Sequence, residues 1–142
     1  MEEKKENQPQ QPQQPVGKSP VQETIDKWIE GWNEHNLDKI METYADTAEL
    51  YDPKIKEVYP DTFTLEGKEN IRNYYSVILK VFPELKIKPL GLWIKGNDAL
   101  LEYYIYTNPE AKIDVISKFY LNKEYKIQGH FVYYGLSYKE EI

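Results

Sequence analysis

With 142 residues, 18 Lys plus Arg against 24 Asp plus Glu and a net charge of -6, the chain has room for one domain with a real core, and its charge argues against nucleic acid or an anionic membrane surface as a partner. The absence of cysteine and the presence of only two histidines, His35 and His130, exclude a disulfide framework, thiol chemistry and a multi-histidine metal centre, and no cofactor motif is present. An aromatic share of 14%, with 13 Tyr and 3 Trp, requires walls for those rings to line.

The opening segment, residues 1–19 of MEEKKENQPQQPQQPVGKSP, is polar and rich in Gln and Pro, and it contains no apolar run of the length a signal peptide or membrane span needs. It reads as a disordered tether ahead of a domain over 20–138, because it cannot bury enough apolar surface to offset its ordering entropy. Taken as written the chain is expected to be cytoplasmic by default; an export signal or lipid anchor outside the given sequence would suit the same tail. Ser19-Pro20 followed by Gln22 resembles a capping box, and Val21, Ile25, Trp28, Ile29 and Trp32 then recur at helical spacing. Asn36 is placed to cap a second, short helix with Leu37, Ile40, Met41 and Tyr44 on its apolar face, and the intervening NEHN leaves His35 in a polar, solvated connection. A short strand through Leu50 ends at Asp52-Pro53, since a residue before proline is held in extended or turn-like backbone. On the dipeptide alone, Asp52 reads first as a turn residue and only second as an acid/base group at the rim of a site.

A loop over 53–66 leads to Gly67 and a third helix, with Ile71, Tyr74, Tyr75, Ile78, Leu79 and Phe82 on one face and Pro83 closing it. Four strand-like runs follow, roughly 85–95, 98–107, 113–121 and 125–135, separated by the turn signals KGND, NPEA and NKEY, which predicts an antiparallel meander. Pro89 and Gly91 inside the first run predict a bulge that curls the sheet. Helices first and a bent sheet second give an α+β domain with one sheet face wrapped on the helices.

Read together, KWIEGWNEHNLDKIMETYADTAELYDP, EGKENIRNYYSVILKVFPELKI and KFYLNKEYKIQGHFVYYG resemble the SnoaL-like branch of the NTF2-like superfamily, which includes polyketide cyclases and is related to ketosteroid isomerase. The likeness spans about residues 21–135. It implies a cone in which three N-terminal helices pack on a curved antiparallel sheet and enclose a pocket open at one end. It also implies a role for Asp52, because the isomerase relatives carry their proton-transferring aspartate in the equivalent Asp-Pro. Their two oxyanion donors, a tyrosine on the first helix and a protonated acid on the third long strand, correspond to Trp28 and Ser117, so steroid-type enolisation lacks its dominant electrostatic support here.

Strand alternation then sorts the remaining side chains, since residues two apart share a face. With Ser117 facing in, Val115 and Phe119 join it while Ile116, Lys118 and Tyr120 face out; the family register adds Leu101, Tyr103 and Ile105, and His130, Val132 and Tyr134, to the interior. The expected site therefore has Asp52 and His130 as catalytic candidates, paired so that a carboxylate could raise the histidine's pKa, and Trp28, Trp32, Tyr103, Ser117, Phe119, Val132 and Tyr134 as ligand-binding wall. Trp28 and Trp32 read first as core packing and second as wall. Three functions stay open: proton transfer, cyclisation or hydrolysis on a small apolar or aromatic carbonyl compound; non-catalytic binding of such a molecule; and a protein-interaction domain. The outward residues Tyr104, Tyr106, Ile116, Tyr120, Phe131 and Tyr133 form a broad aromatic face, which predicts a homodimer through the outer side of the sheet.

Overall fold

Helix α1 (Pro20–Asn33) begins where the Ser19 hydroxyl accepts a hydrogen bond from the Gln22 N–H at 3.1 Å with proline in the first turn, so two of the chain's strongest helix-start signals coincide. Its apolar stripe Val21, Ile25, Trp28 and Trp32 is buried. The computed structural model describes residues 18–139; the tether expected over 1–19 lies outside them except for Lys18 and Ser19, which belong to the helix start. Asn36 caps α2 (Leu37–Met41) through its side chain on the Lys39 N–H at 3.1 Å, as the sequence predicts. Tyr44 is no part of that helix: α2 ends at Met41, and Tyr44 opens strand β1 (Tyr44–Tyr51) with its ring in the core.

The tight α1–α2 turn depends on Gly31. A Cβ there would stand 2.8 Å from the Ile40 Cγ1 and 2.9 Å from the Ile40 backbone nitrogen, and backbone cannot yield as a flexible side-chain tip can. Gly31→Ala is expected to lower stability by roughly 1–3 kcal/mol through this overpacking, although alanine is the better helix former by about 1 kcal/mol. A thermal melt checks it, and an unchanged or higher midpoint would show that α2 moves away freely. His35 corrects an expectation too. It is not simply solvated: at a left-handed φ of 54° it places Nε2 2.8 Å from the Leu85 carbonyl, while Asn33 takes both the N–H (2.7 Å) and the C=O (3.0 Å) of Ile87. The end of α1 is thereby stitched to the sheet.

Past β1, the segment expected as loop contains a 3-10 helix (Pro53–Glu57) and a short strand β2 (Thr64–Glu66), and α3 (Lys68–Val81) then buries Ile71, Tyr74 and Tyr75. The remaining strands are β3 (Lys86–Lys95), β4 (Asp98–Asn108), β5 (Ala111–Leu121) and β6 (Ile127–Lys139), in a six-stranded sheet of order β2-β1-β6-β5-β4-β3. The meander β3 to β6 is antiparallel as predicted, with its register shift between Pro89 and Gly91. The sheet as a whole is mixed, because β1 runs parallel to β6 with Leu50 opposite His130. That pairing brings the Asp-Pro end of β1 beside the inward-facing residues of β6, and it is what assembles the site. The fold is thus α+β, with three helices on one side of an open sheet and the core, including Ile25, Ile40, Leu50, Val115, Phe119 and Ile127, between them. Among the described residues, no helix is long and apolar enough to cross a membrane.

Candidate functional site

Asp52 has extended backbone (φ -150°, ψ 115°), as a residue before proline must. Its Oδ1 accepts the Lys54 N–H at 2.9 Å and caps the 3-10 helix, so the turn role is real. It is not the only one. The side chain is buried, at 6% exposure, and the Tyr134 hydroxyl reaches across from β6 to Oδ1 and Oδ2 at 2.8 and 3.0 Å. Burial pushes the Asp52 pKa up from the usual carboxylate range, against the opposing pull of the Lys54 N–H and the Tyr134 hydroxyl. Tyr134 in turn is held protonated, chiefly by burial and then by the Asp52 charge.

His130 is also buried, at 1% exposure, stacked on Phe119 with ring centroids 4.3 Å apart and edge-on to Trp28 at 5.6 Å. The sequence suggested a histidine raised by a neighbouring carboxylate. Instead burial lowers its pKa to about 3, and its two nitrogens meet hydroxyls: Nδ1 lies 2.9 Å from Tyr44 Oη and Nε2 2.8 Å from Ser117 Oγ. Tyr44 Oη is further bonded to Tyr75 Oη at 2.6 Å and receives the Trp28 Nε1–H at 3.0 Å, and Ser117 Oγ lies 2.7 Å from Tyr103 Oη. His130 is therefore the neutral centre of a buried hydroxyl chain, and it makes no hydrogen bond to Asp52 among the described residues.

Asp52 and His130 nevertheless line one chamber, of about 60 Å³, together with Trp28, Trp32, Tyr75, Tyr103, Val132 and Tyr134 and the aliphatic side chains of Ile78, Leu85, Ile87 and Ile105. Ile78, Leu85, Ile105 and Tyr134 also line an outer groove of about 400 Å³, whose other walls include Lys54, Val58, Tyr74, Val77, Val81 and Phe82. Lys54 holds its ammonium 5.0 Å above the Tyr134 ring at this junction. A cavity of about 150 Å³ is what a benzene ring needs, so the chamber admits a polar head group and the groove a ring or chain. Seven of the nine residues expected to form the site line the chamber: Asp52, His130, Trp28, Trp32, Tyr103, Val132 and Tyr134. Ser117 and Phe119 face inward but stand behind its wall, fully buried against His130. Tyr44 and Tyr75 were not singled out for the site from sequence, although both sit on faces read as apolar; two hydroxyls meeting between β1 and α3 leave no local signature.

A family model described as the SnoaL-like domain matches residues 25–130. The chain belongs to that family. This SnoaL-like domain is similar in fold to a SnoaL-like protein of unknown function from Burkholderia thailandensis, at 22% identity and TM-score 0.74, covering 86% of this chain and 100% of that one. It is similar also to SalBIII, an epoxide hydrolase/cyclase-like enzyme associated with pyran ring formation in salinomycin, at 22% identity and TM-score 0.68 over 84% of this chain and 95% of that one. TerC, solved with polyporic acid, matches at 15% identity and TM-score 0.68 over 82% and 92%. No curated protein sequence matches the chain. In this SnoaL-like domain the Trp28 indole has its N–H committed to Tyr44, whereas the Trp32 N–H is buried with no partner. Among the described residues no three His, Asp or Glu side chains gather where a metal ion could be held.

Proposed function

We propose that this SnoaL-like domain takes a small apolar or aromatic carbonyl compound, with its apolar body in the groove and its carbonyl in the chamber, and that Asp52 exchanges a proton with the carbon next to that carbonyl. The observation that carries the reading is the position of a desolvated carboxylate, oriented by Tyr134 and the Lys54 N–H, on the wall of a mostly apolar chamber that Tyr75, Tyr103 and Trp32 also line. A base of this kind works best when its pKa is drawn toward neutrality, and burial acts on Asp52 in that direction. In the step, the ionised Asp52 carboxylate takes the α-proton, the electron pair of the C–H bond moves into the enolate, and the same proton or a solvent one returns to carbon. Isomerisation or ring closure needs only that the proton return elsewhere, or that the enolate attack a second carbon of the same molecule.

Benzylacetone in deuterium oxide is a suitable probe: deuterium entering its α-positions faster than in buffer supports the reading, and exchange at the buffer rate opposes it. Non-catalytic holding of the same class of ligand is the second reading, favoured by the smallness of the chamber, and tight binding without exchange identifies it. We extend the proposal to assembly. Ile116, Tyr120 and Tyr133 are 37%, 37% and 50% exposed on the outer face of the sheet, a placement suited to self-association of two copies. Sedimentation over a concentration series is expected to give a dimer that Tyr133→Glu breaks; a monomer at high concentration contradicts it.

A further inference from the structure

The hydroxyl chain behind the chamber can be counted hydrogen by hydrogen. Five bonds join six groups: Trp28 to Tyr44, Tyr44 to Tyr75, Tyr44 to His130, His130 to Ser117 and Ser117 to Tyr103. Each group, with His130 neutral, carries one polar hydrogen, so one hydrogen is left without a bond. Its place is restricted. Trp28 can only donate. A free hydrogen on Tyr44 would require its oxygen to accept from Trp28, Tyr75 and His130 at once, beyond two lone pairs, and a free one on His130 would require both ring nitrogens to accept. On Ser117 it would be an orphaned donor inside the sheet, which folded proteins avoid, because Ser117 is fully buried and lines neither the chamber nor the groove. Only Tyr75 and Tyr103 remain, at opposite ends of the chain, and both line the chamber.

We infer that the chain Tyr75–Tyr44–His130–Ser117–Tyr103 delivers its one unbonded hydrogen to the acceptor oxygen of a chamber ligand, at Tyr75 when His130 carries its proton on Nδ1 and at Tyr103 when it carries it on Nε2. In the first state every group donates toward Tyr75; in the second every group donates toward Tyr103. His130 is thus a positioning residue that exchanges tautomers without ionising, consistent with the strong lowering of its pKa. The unpartnered Trp32 N–H adds a second donor on the same wall. The occupant that fits is a neutral molecule presenting a carbonyl-type oxygen. This inference rests on the proposed function for its ligand class, while the tautomer arrangement needs neither a ligand nor Asp52.

NMR of the imidazole nitrogens tests it, with the His35 signals identified in a His35→Asn variant. Tyr75→Phe leaves Tyr103 as the only outlet into the chamber and is expected to fix His130 with its proton on Nε2. Tyr103→Phe leaves Tyr75 and is expected to fix it on Nδ1. Either variant decides by itself, and the opposite tautomer in either one overturns the inference. Binding supplies the ligand arm: wild type is expected to prefer benzylacetone over n-butylbenzene, each single variant to keep that preference, and Tyr75→Phe with Tyr103→Phe to reduce it about five- to tenfold, the worth of one hydrogen bond. Equal binding of ketone and hydrocarbon by the wild type overturns delivery to a ligand. Slow α-proton exchange with the expected tautomers counts against Asp52 as base and leaves the hydroxyl chain supported.

Discussion

Asp52→Asn is expected to slow α-proton exchange in benzylacetone by about a hundredfold to ten-thousandfold, the usual contribution of a positioned general base, while the affinity for the ketone changes little. The amide keeps the shape of the carboxylate, its oxygen can still cap the 3-10 helix on the Lys54 N–H, and it can still accept from Tyr134. What is lost is the capacity to hold a proton. A neutral ligand does not need the charge to bind, so the effect falls on the chemical step rather than on binding. The wild-type rate is expected to fall with acidification through the Asp52 titration, at a pH above the ordinary carboxylate range because burial raises that pKa. Deuterium incorporation followed by NMR against pH, for both variants, reads these outcomes. Equal rates would remove Asp52 from the chemistry and leave it as a turn residue.

The second large effect concerns stability. His130 titrates near 6.5 when unfolded and at about 3 in the fold, so between those values the unfolded chain binds the proton and the folded one does not. Stability therefore rises with pH over that window and is flat in this contribution above it, with a slope approaching about 1.4 kcal/mol per pH unit and a total of roughly 4–5 kcal/mol. Asp52 acts with the opposite sign: its folded pKa is raised, so acidification through its own titration stabilises the fold. The histidine's wider window dominates. Melting temperatures measured from pH 7 to pH 4 are expected to fall in the wild type by many degrees, since about 1 kcal/mol corresponds to several degrees in a domain of this size. His130→Gln is expected to melt lower at pH 7, where it disturbs the hydroxyl chain, but to lose most of the acid dependence. An equally steep decline in that variant would mean that other groups govern acid unfolding.

Much of this is legible in the sequence alone. The proline after Asp52 alone ends β1 and forces the extended backbone that turns the carboxylate toward the 3-10 helix, and alternation from Ser117 correctly sets Val115 and Phe119 inward. Caps at Ser19 and Asn36 follow from side chains that satisfy helix N–H groups locally. The features that were not legible depend on contacts far apart in the chain. The parallel pairing of β1 with β6 joins Leu50 to His130, and nothing in either strand's own pattern selects that neighbour. Tyr44 fits a helical periodicity as well as a strand start, and its role emerges only where Trp28, Tyr75 and His130 converge on one oxygen. The direction of the His130 pKa was equally out of reach, because it depends on which partners surround the ring: two hydroxyls and the Phe119 face, with no carboxylate in contact. Ser117 and Phe119 show the limit of alternation, which gives the inward face without saying whether a side chain reaches a cavity or stands behind the one that does.

The most direct measurement is a crystal structure of the protein with benzylacetone bound. The expected result has the phenyl ring in the groove between Ile78, Phe82 and Ile105, the carbonyl oxygen within hydrogen-bond reach of Tyr75 or Tyr103, and an α-carbon about 3–3.5 Å from an Asp52 oxygen, the separation of a near-attack arrangement. A ketone bound with its carbonyl turned to solvent, or seated where no α-carbon approaches Asp52, would contradict the chamber as an acid/base site.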